Sequence, residues 1–141
     1  MRKRFILLWN YERLTNIWIK IPQASHWNLC HVPGPWHRKG KLDRDSVIAA
    51  IPIGYADGLN RHLGNRHCYC LVNGQKADYV GNICMDVALI DVTDIPCKEG
   101  DQVEIFGEHL PVTVLSDVLD TIPYEVLTGI SNRVKRVYFQ D

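Results

Sequence analysis

From Val47 onward, apolar positions come in short blocks, each closed by a turn signal. Val47 to Ile53 is a continuous apolar run ending at Gly54, the pattern of a strand buried on both faces. Cys70-Leu71-Val72, then Asn73-Gly74, then Gln75 to Val80 reads as a hairpin, because Asn-Gly tolerates the positive φ values of a tight type I′ turn. Asp86 to Val92 alternates in part and reads as a strand; Lys98-Glu99-Gly100-Asp101 is a turn leading into a strand over Gln102 to Phe106. Arg133 to Phe139 is the last strand expected. Val114, Leu115, Val118, Leu119 and Ile122 recur at helical spacing, with Thr113 as N-cap. A second short helix opens at Pro123 and exits at Gly129. Many short strands and two short helices predict a mainly β fold, a compact β-barrel or sandwich.

Residues 1–46 read differently. They hold no sustained period, contain Pro22, Pro33, Gly34 and Pro35, and are expected to be irregular. They carry nine Lys/Arg against three Asp/Glu and all four tryptophans, Trp9, Trp18, Trp27 and Trp36. Residues 47–141 carry seven against thirteen, so the net charge of zero conceals two unlike pieces. The sequence therefore divides into an irregular segment, 1–46, and a β-domain, 47–141. A chain of 141 residues cannot contain a (β/α)₈ barrel of about 250 residues. Overall neutrality argues against nucleic-acid binding. No apolar stretch approaches the roughly 20 residues of a membrane span. The Met1-Arg2-Lys3-Arg4 start resembles a signal peptide, but its apolar run stops after Trp9 and no small-residue cleavage site follows, so a cytoplasmic location is expected. Five irregularly spaced cysteines, Cys30, Cys68, Cys70, Cys84 and Cys97, then read as reduced thiols.

Several constellations carry possible chemistry. Gly54-Tyr55-Ala56-Asp57-Gly58 reads first as a strand exit with a turn; with no long helix after it, it is not a phosphate-binding loop. His67-Cys68-Tyr69-Cys70 invites a metal, yet in a strand Cys68 and Cys70 share one face and His67 points away, and no second ligand pair lies at zinc spacing. Asp86, Asp91 and Asp94 resemble a carboxylate cluster, but Asp91-Val92-Thr93-Asp94 fits a strand end whose side chains hold their own backbone. Arg133 to Tyr138 concentrates positive charge and reads as a strand with one solvated face.

The ordered half resembles a known family. The words that carry the likeness are Ile51-Pro52-Ile53-Gly54-Tyr55-Ala56-Asp57-Gly58, Val72-Asn73-Gly74-Gln75-Lys76-Ala77, Val80-Gly81-Asn82-Ile83-Cys84-Met85-Asp86, Asp91-Val92-Thr93-Asp94, Thr121-Ile122-Pro123-Tyr124-Glu125-Val126-Leu127 and Ile130-Ser131-Asn132-Arg133-Val134. In this order and spacing they are similar to the C-terminal domain of alanine racemases, of the Bacteroides type. The resemblance implies a β-barrel domain of a pyridoxal-phosphate isomerase that interconverts L- and D-alanine for peptidoglycan. In that family an N-terminal (β/α)₈ barrel holds the cofactor on a lysine, and the C-terminal domain of the partner chain in a homodimer covers the barrel mouth. Inverting the α-carbon takes an acid/base on each face, the lysine on one and a tyrosine on the other.

By the same resemblance, Tyr55, Asp86 and Arg61 are substrate-entryway residues, Met85 contacts the substrate carboxylate through its backbone, and Tyr124 donates to the cofactor phosphate. The family's catalytic tyrosine stands nineteen residues before the Tyr55 position, where this sequence has Trp36, so no catalytic residue is expected here. The likeness fades near Arg38, as a shifted reading frame or a truncated gene would produce. The chain by itself is expected to hold no pyridoxal phosphate and to turn over no alanine, its partner being a racemase barrel. The competing expectation is a stand-alone β-barrel interaction module without catalysis.

Overall fold

The computed structural model describes residues 18–21 and 44–136. Their elements run β1 (Trp18–Ile21), β2 (Ser46–Ile51), β3 (Tyr69–Val72), β4 (Gln75–Asp78), β5 (Ala88–Asp91), β6 (Val103–Glu104), α1 (Val112–Val118) and α2 (Pro123–Thr128). Two single 3-10 turns, Tyr55–Asp57 and Arg61–Leu63, follow β2.

β2 is the apolar run, and its place explains its composition. It is the middle strand of the sheet β1-β2-β5, antiparallel to both neighbours, with Ala49 facing Trp18 on one side and Ile90 on the other. All but one of its six residues are buried. β3 and β4 form the hairpin expected, in the register Cys70↔Ala77 and Val72↔Gln75. Its turn residues Asn73 and Gly74 have φ of 50° and 77°, the left-handed pair that a type I′ turn demands. The hairpin joins β6 in a second sheet of order β4-β3-β6. Beyond β4 the chain crosses to the first sheet, where Tyr79 bridges Ile90 and the Val80 N–H donates to the Leu89 carbonyl at 2.8 Å.

One core lies between the sheets. Ile51, Val72, Ala77, Ile83, Ile90 and Leu115 belong to a single buried cluster. Side chains of this size each stabilise the fold by about 1.5–3 kcal/mol when fully removed from water, less for alanine. The Tyr79 ring is buried in it with no hydrogen-bond partner for its hydroxyl, although the Cys70 thiol is a polar neighbour. Burial pushes the Cys68 and Cys70 thiols and the Tyr79 phenol above their ordinary pKa values, which keeps all three neutral.

The mainly β fold with two short helices is as expected. The described strands form two three-stranded sheets linked by the Tyr79–Ile90 bridge and do not close into a barrel. Other expectations are corrected. Residues 1–46 are not uniformly irregular, because Trp18–Ile21 is a strand that pairs with β2 across the boundary drawn at residue 46. Arg133 to Arg136 forms a turn and irregular chain rather than the start of a strand; Val137 to Phe139 lie outside the described residues. Thr113 lies inside α1, whose N-cap is Pro111, a residue with no N–H to leave unpaired. α1 ends where Asp120 turns left-handed at φ 53° and the Thr121 N–H reaches back to the Ser116 carbonyl. Pro123 opens α2 and Gly129 caps it, as read from the sequence. Of the cysteines, Cys68, Cys70 and Cys97 are free thiols, whereas Cys84 is disulfide-bonded, so the five are not all reduced.

Candidate functional site

The chain leaves β2 through Pro52-Ile53 and tightens at once into the turn that carries Tyr55. Asp57 sets this turn from within. Its Oδ2 accepts from the Gly54 N–H at 2.9 Å, while its own N–H donates to the Gly54 carbonyl at 3.0 Å. This is a reciprocal cap of the kind a carboxylate three residues into a helical turn can make. The Asp57 side chain is only 4% exposed.

Two segments distant in sequence close on this turn, and a glycine stands at each contact. On one side the Tyr55 N–H donates to the Cys84 carbonyl and the Ala56 N–H to the Met85 carbonyl, both at 3.0 Å. A Cβ on Gly54 would lie 2.2 Å from both carbonyl oxygens, so no other residue permits this approach. On the other side Gly58, at φ +110°, packs on the exit of α2; a Cβ there would lie 2.7 Å from the Gly129 carbonyl oxygen. The Ser131 N–H then donates to the Asp57 carbonyl at 3.1 Å.

The turn thus brings Tyr55 beside the Met85–Asp86 loop. Tyr55 and Met85 keep 48% and 52% of their surface exposed, large apolar areas for a folded chain to leave in water. Arg61 joins them from the second 3-10 turn, where Nη1 donates to the Ile83 carbonyl at 3.0 Å. Asp86 is held by Arg133, whose Nη2 donates to Oδ1 at 2.6 Å. Tyr124 is carried by the first turn of α2 and is 76% exposed; its tie to the others runs through the α2 exit against Gly58. Between the 3-10 turns and the helices runs a groove of about 730 Å³, lined among others by Tyr55, Arg61, Phe106, Leu115 and Val126. Trp36 lies outside the described residues.

The remaining candidates separate. Cys68 and Cys70 are buried on one face and His67 is exposed, and among the described residues no three metal-ligating side chains gather. The three aspartates are not a cluster. Asp91 accepts from the Thr93 N–H at 3.1 Å and from its hydroxyl at 2.5 Å, and pairs with Arg66 at 2.9 Å. Partial burial works against its charge, but the hydrogen bonds from Thr93 and Arg66 outweigh it and hold the carboxyl below the ordinary range. Asp94 pairs with Arg44 on the surface.

Asp57 and Arg133, to which the sequence reading gave no site role, hold these segments together. Asp57 had a detectable signal, a carboxylate three positions after a glycine at a strand exit. Arg133 stood in a family word, but nothing local pointed to its partners Asp57 and Asp86, which lie far back along the chain.

Residues 36–138 match the family described as alanine racemase, C-terminal domain. Alanine racemase 1 of Caldanaerobacter subterraneus is 50% identical over 103 residues, covering 70% of this chain and 26% of that protein. Alanine racemase 1 of Clostridium acetobutylicum is 42% identical over 126 residues, covering 81% of this chain and 32% of that protein. The crystal structure of alanine racemase from Bartonella henselae, with covalently bound pyridoxal phosphate, aligns with a TM-score of 0.66 and 42% identity over 70% of this chain and 28% of its own. Alanine racemase from Streptomyces lavendulae aligns with a TM-score of 0.72 at 27% identity, over 87% of this chain and 31% of its own. The chain thus spans about a quarter to a third of the length of these relatives. With the family matched over most of its residues and the same fold in the solved relatives, the chain belongs to the alanine racemase C-terminal domain family.

Proposed function

We propose that this chain supplies the substrate entryway of an alanine racemase, with Tyr55, Arg61, Met85 and Asp86 presented to a barrel that comes from another domain or subunit. The observation that supports this most is the joining of the Tyr55 turn to the Met85–Asp86 loop by two backbone hydrogen bonds, with both large side chains left exposed. In this reading the Tyr55 phenol narrows the opening and offers a hydrogen bond to a small polar substrate. The Arg61 guanidinium and Asp86 carboxylate set the charge at its rim, and the Met85 backbone faces the substrate carboxylate.

Pyridoxal phosphate would supply the electron sink for the α-carbanion. The described residues do not build a site for it by themselves. Lys76 lies over the Tyr69 ring, 4.5 Å from its centroid, and Tyr124 stands largely in water. The role left to Tyr124 is a single donor to a phosphate held elsewhere. The 141-residue chain alone then carries no turnover.

The test is a hybrid enzyme in which residues 38–141 replace the corresponding domain of the Caldanaerobacter relative, whose own upstream tyrosine is kept. Racemisation of L-alanine by the hybrid is the expected result. A correctly folded, cofactor-loaded hybrid without turnover overturns the entryway reading and favours an interaction module. A second hybrid begun at Trp36, so that indole replaces that tyrosine, is expected to lose about 10²–10⁴-fold in kcat, the usual worth of a general acid/base.

A further inference from the structure

Arg133 sits where three distant segments meet. Its Nη2 donates to Asp86 Oδ1 at 2.6 Å, and its Nε lies 3.6 Å from Asp57 Oδ1. The two carboxylates differ in kind: Asp57 is buried beneath the Tyr55 turn, whereas the Asp86 side chain keeps 48% of its surface in water. The other Asp57 oxygen is committed to the Gly54 N–H. The guanidinium is thus anchored at its inner end on a carboxylate that cannot move without breaking the turn, and its outer end holds a carboxylate at the rim. Its own backbone is fixed as well, because the Arg133 N–H donates to Ser131 Oγ at 3.2 Å and the Ser131 N–H to the Asp57 carbonyl. Only a planar fork with separately directed N–H groups spans two carboxylates in this way; a lysine ammonium is a point charge on a flexible stem.

We propose that Arg133 is a positioning residue, which sets the Met85–Asp86 loop against the Tyr55 turn through the buried Asp57. The claim that this loop meets substrate rests on the entryway reading; the tie itself does not.

Amide hydrogen exchange on the full chain tests the tie directly. Local opening between the turn and the loop exposes the Tyr55 and Ala56 N–H groups, which donate to Cys84 and Met85. Arg133→Gln is expected to speed exchange at these two amides about tenfold, leaving Tyr79 and Val80 in the sheet junction unchanged. Asp86→Ala, an exposed change that does not threaten folding, is expected to act at the same two amides. The double variant should exchange no faster than the faster single one, as for two members of one network. Independent, multiplying effects, or no effect of Asp86→Ala at Tyr55 and Ala56, overturn the proposal. If Arg133→Gln loosens every amide, Asp86→Ala and Arg133→Lys decide, the lysine being expected to restore the sheet junction but not the Tyr55 and Ala56 amides.

In the hybrid racemase, Arg133→Lys is expected to raise KM for alanine about tenfold with kcat within about twofold. A fall in kcat at unchanged KM overturns the positioning role. A hybrid inactive with the native segment counts against the entryway alone, since the exchange cycle still decides the tie.

Discussion

The Tyr55 turn and the Asn73-Gly74 hairpin use the same residue type for opposite reasons. Gly54 has extended backbone that any residue adopts, yet a Cβ on it would collide with two carbonyl oxygens. Gly74 has nothing within 4 Å of where its Cβ would be, but its φ of +77° disfavours every other residue. One glycine answers to its neighbours and the other to its own dihedral angle. The first kind marks a place where separate parts of the chain must touch; the second marks only a change of direction. In this molecule the residues with functional promise collect around the first kind.

The largest loss is expected at Gly54. Gly54→Ala is expected to cost about 3 kcal/mol or more, because the obstacle is backbone and cannot swing aside. Urea denaturation should show a large fall in midpoint, and a loss under 1 kcal/mol would mean that the two segments separate at little cost. Asp57→Ala comes next, at about 2 kcal/mol, since it leaves the buried Gly54 N–H without an acceptor. Thermal unfolding would measure it, and Asp57→Asn, which keeps an oxygen there, should recover part of the loss. Gly74→Ala should cost only about 1 kcal/mol, the ordinary penalty of left-handed backbone for a residue with a Cβ. A loss as large as that at Gly54 would mean that Gly74, too, is held by contact with its neighbours.

The smallest effect expected is one of pH, at the end of β5. Asp91 holds Arg66 and the Thr93 turn, and its folded pKa lies below the unfolded one. Its contribution to stability is therefore fully present above the unfolded value of about 3.9 and is lost as pH falls through the folded value. Asp91→Asn should flatten the decline in Tm below about pH 4 and leave the hydrogen-exchange behaviour of the Tyr55 turn at neutral pH unchanged. A steeper acid decline in that variant would reverse the assigned sign.

What was legible in the sequence follows the same division. β2, the hairpin, the β5 strand and α2 announce themselves through apolar runs, Asn-Gly and a proline–glycine frame, all local signals. The two glycines around Tyr55 were visible, but sequence alone could not distinguish a turn glycine from a contact glycine, because the obstacle at Gly54 lies some thirty residues away in Cys84 and Met85. Arg133 read as part of a solvated basic strand for the same reason. The strand at Trp18–Ile21 was missed because its order comes from pairing with β2, while its own neighbours along the chain, prolines and charges, argue for irregularity. The family words contain Tyr55, Met85 and Asp86, and two backbone hydrogen bonds join the Tyr55 turn to the loop that carries the other two.

The Asn73-Gly74 turn is also the place where this protein is expected to age first. Asparagine before glycine is the pair at which the following backbone nitrogen attacks the side-chain amide carbon most readily, releasing ammonia and forming a cyclic imide that water then opens to a carboxylate. Here that amide donates to Asp101 at 2.8 Å and helps hold the Asp101 carboxyl below its ordinary pKa. Deamidation would exchange the donor for a second negative charge and turn an attraction between the hairpin tip and the Lys98–Asp101 turn into a repulsion. Such a chemical clock acts at the tip of the hairpin, outside the hydrogen bonds that join the Tyr55 turn to Cys84 and Met85, so an old preparation is expected to loosen there first.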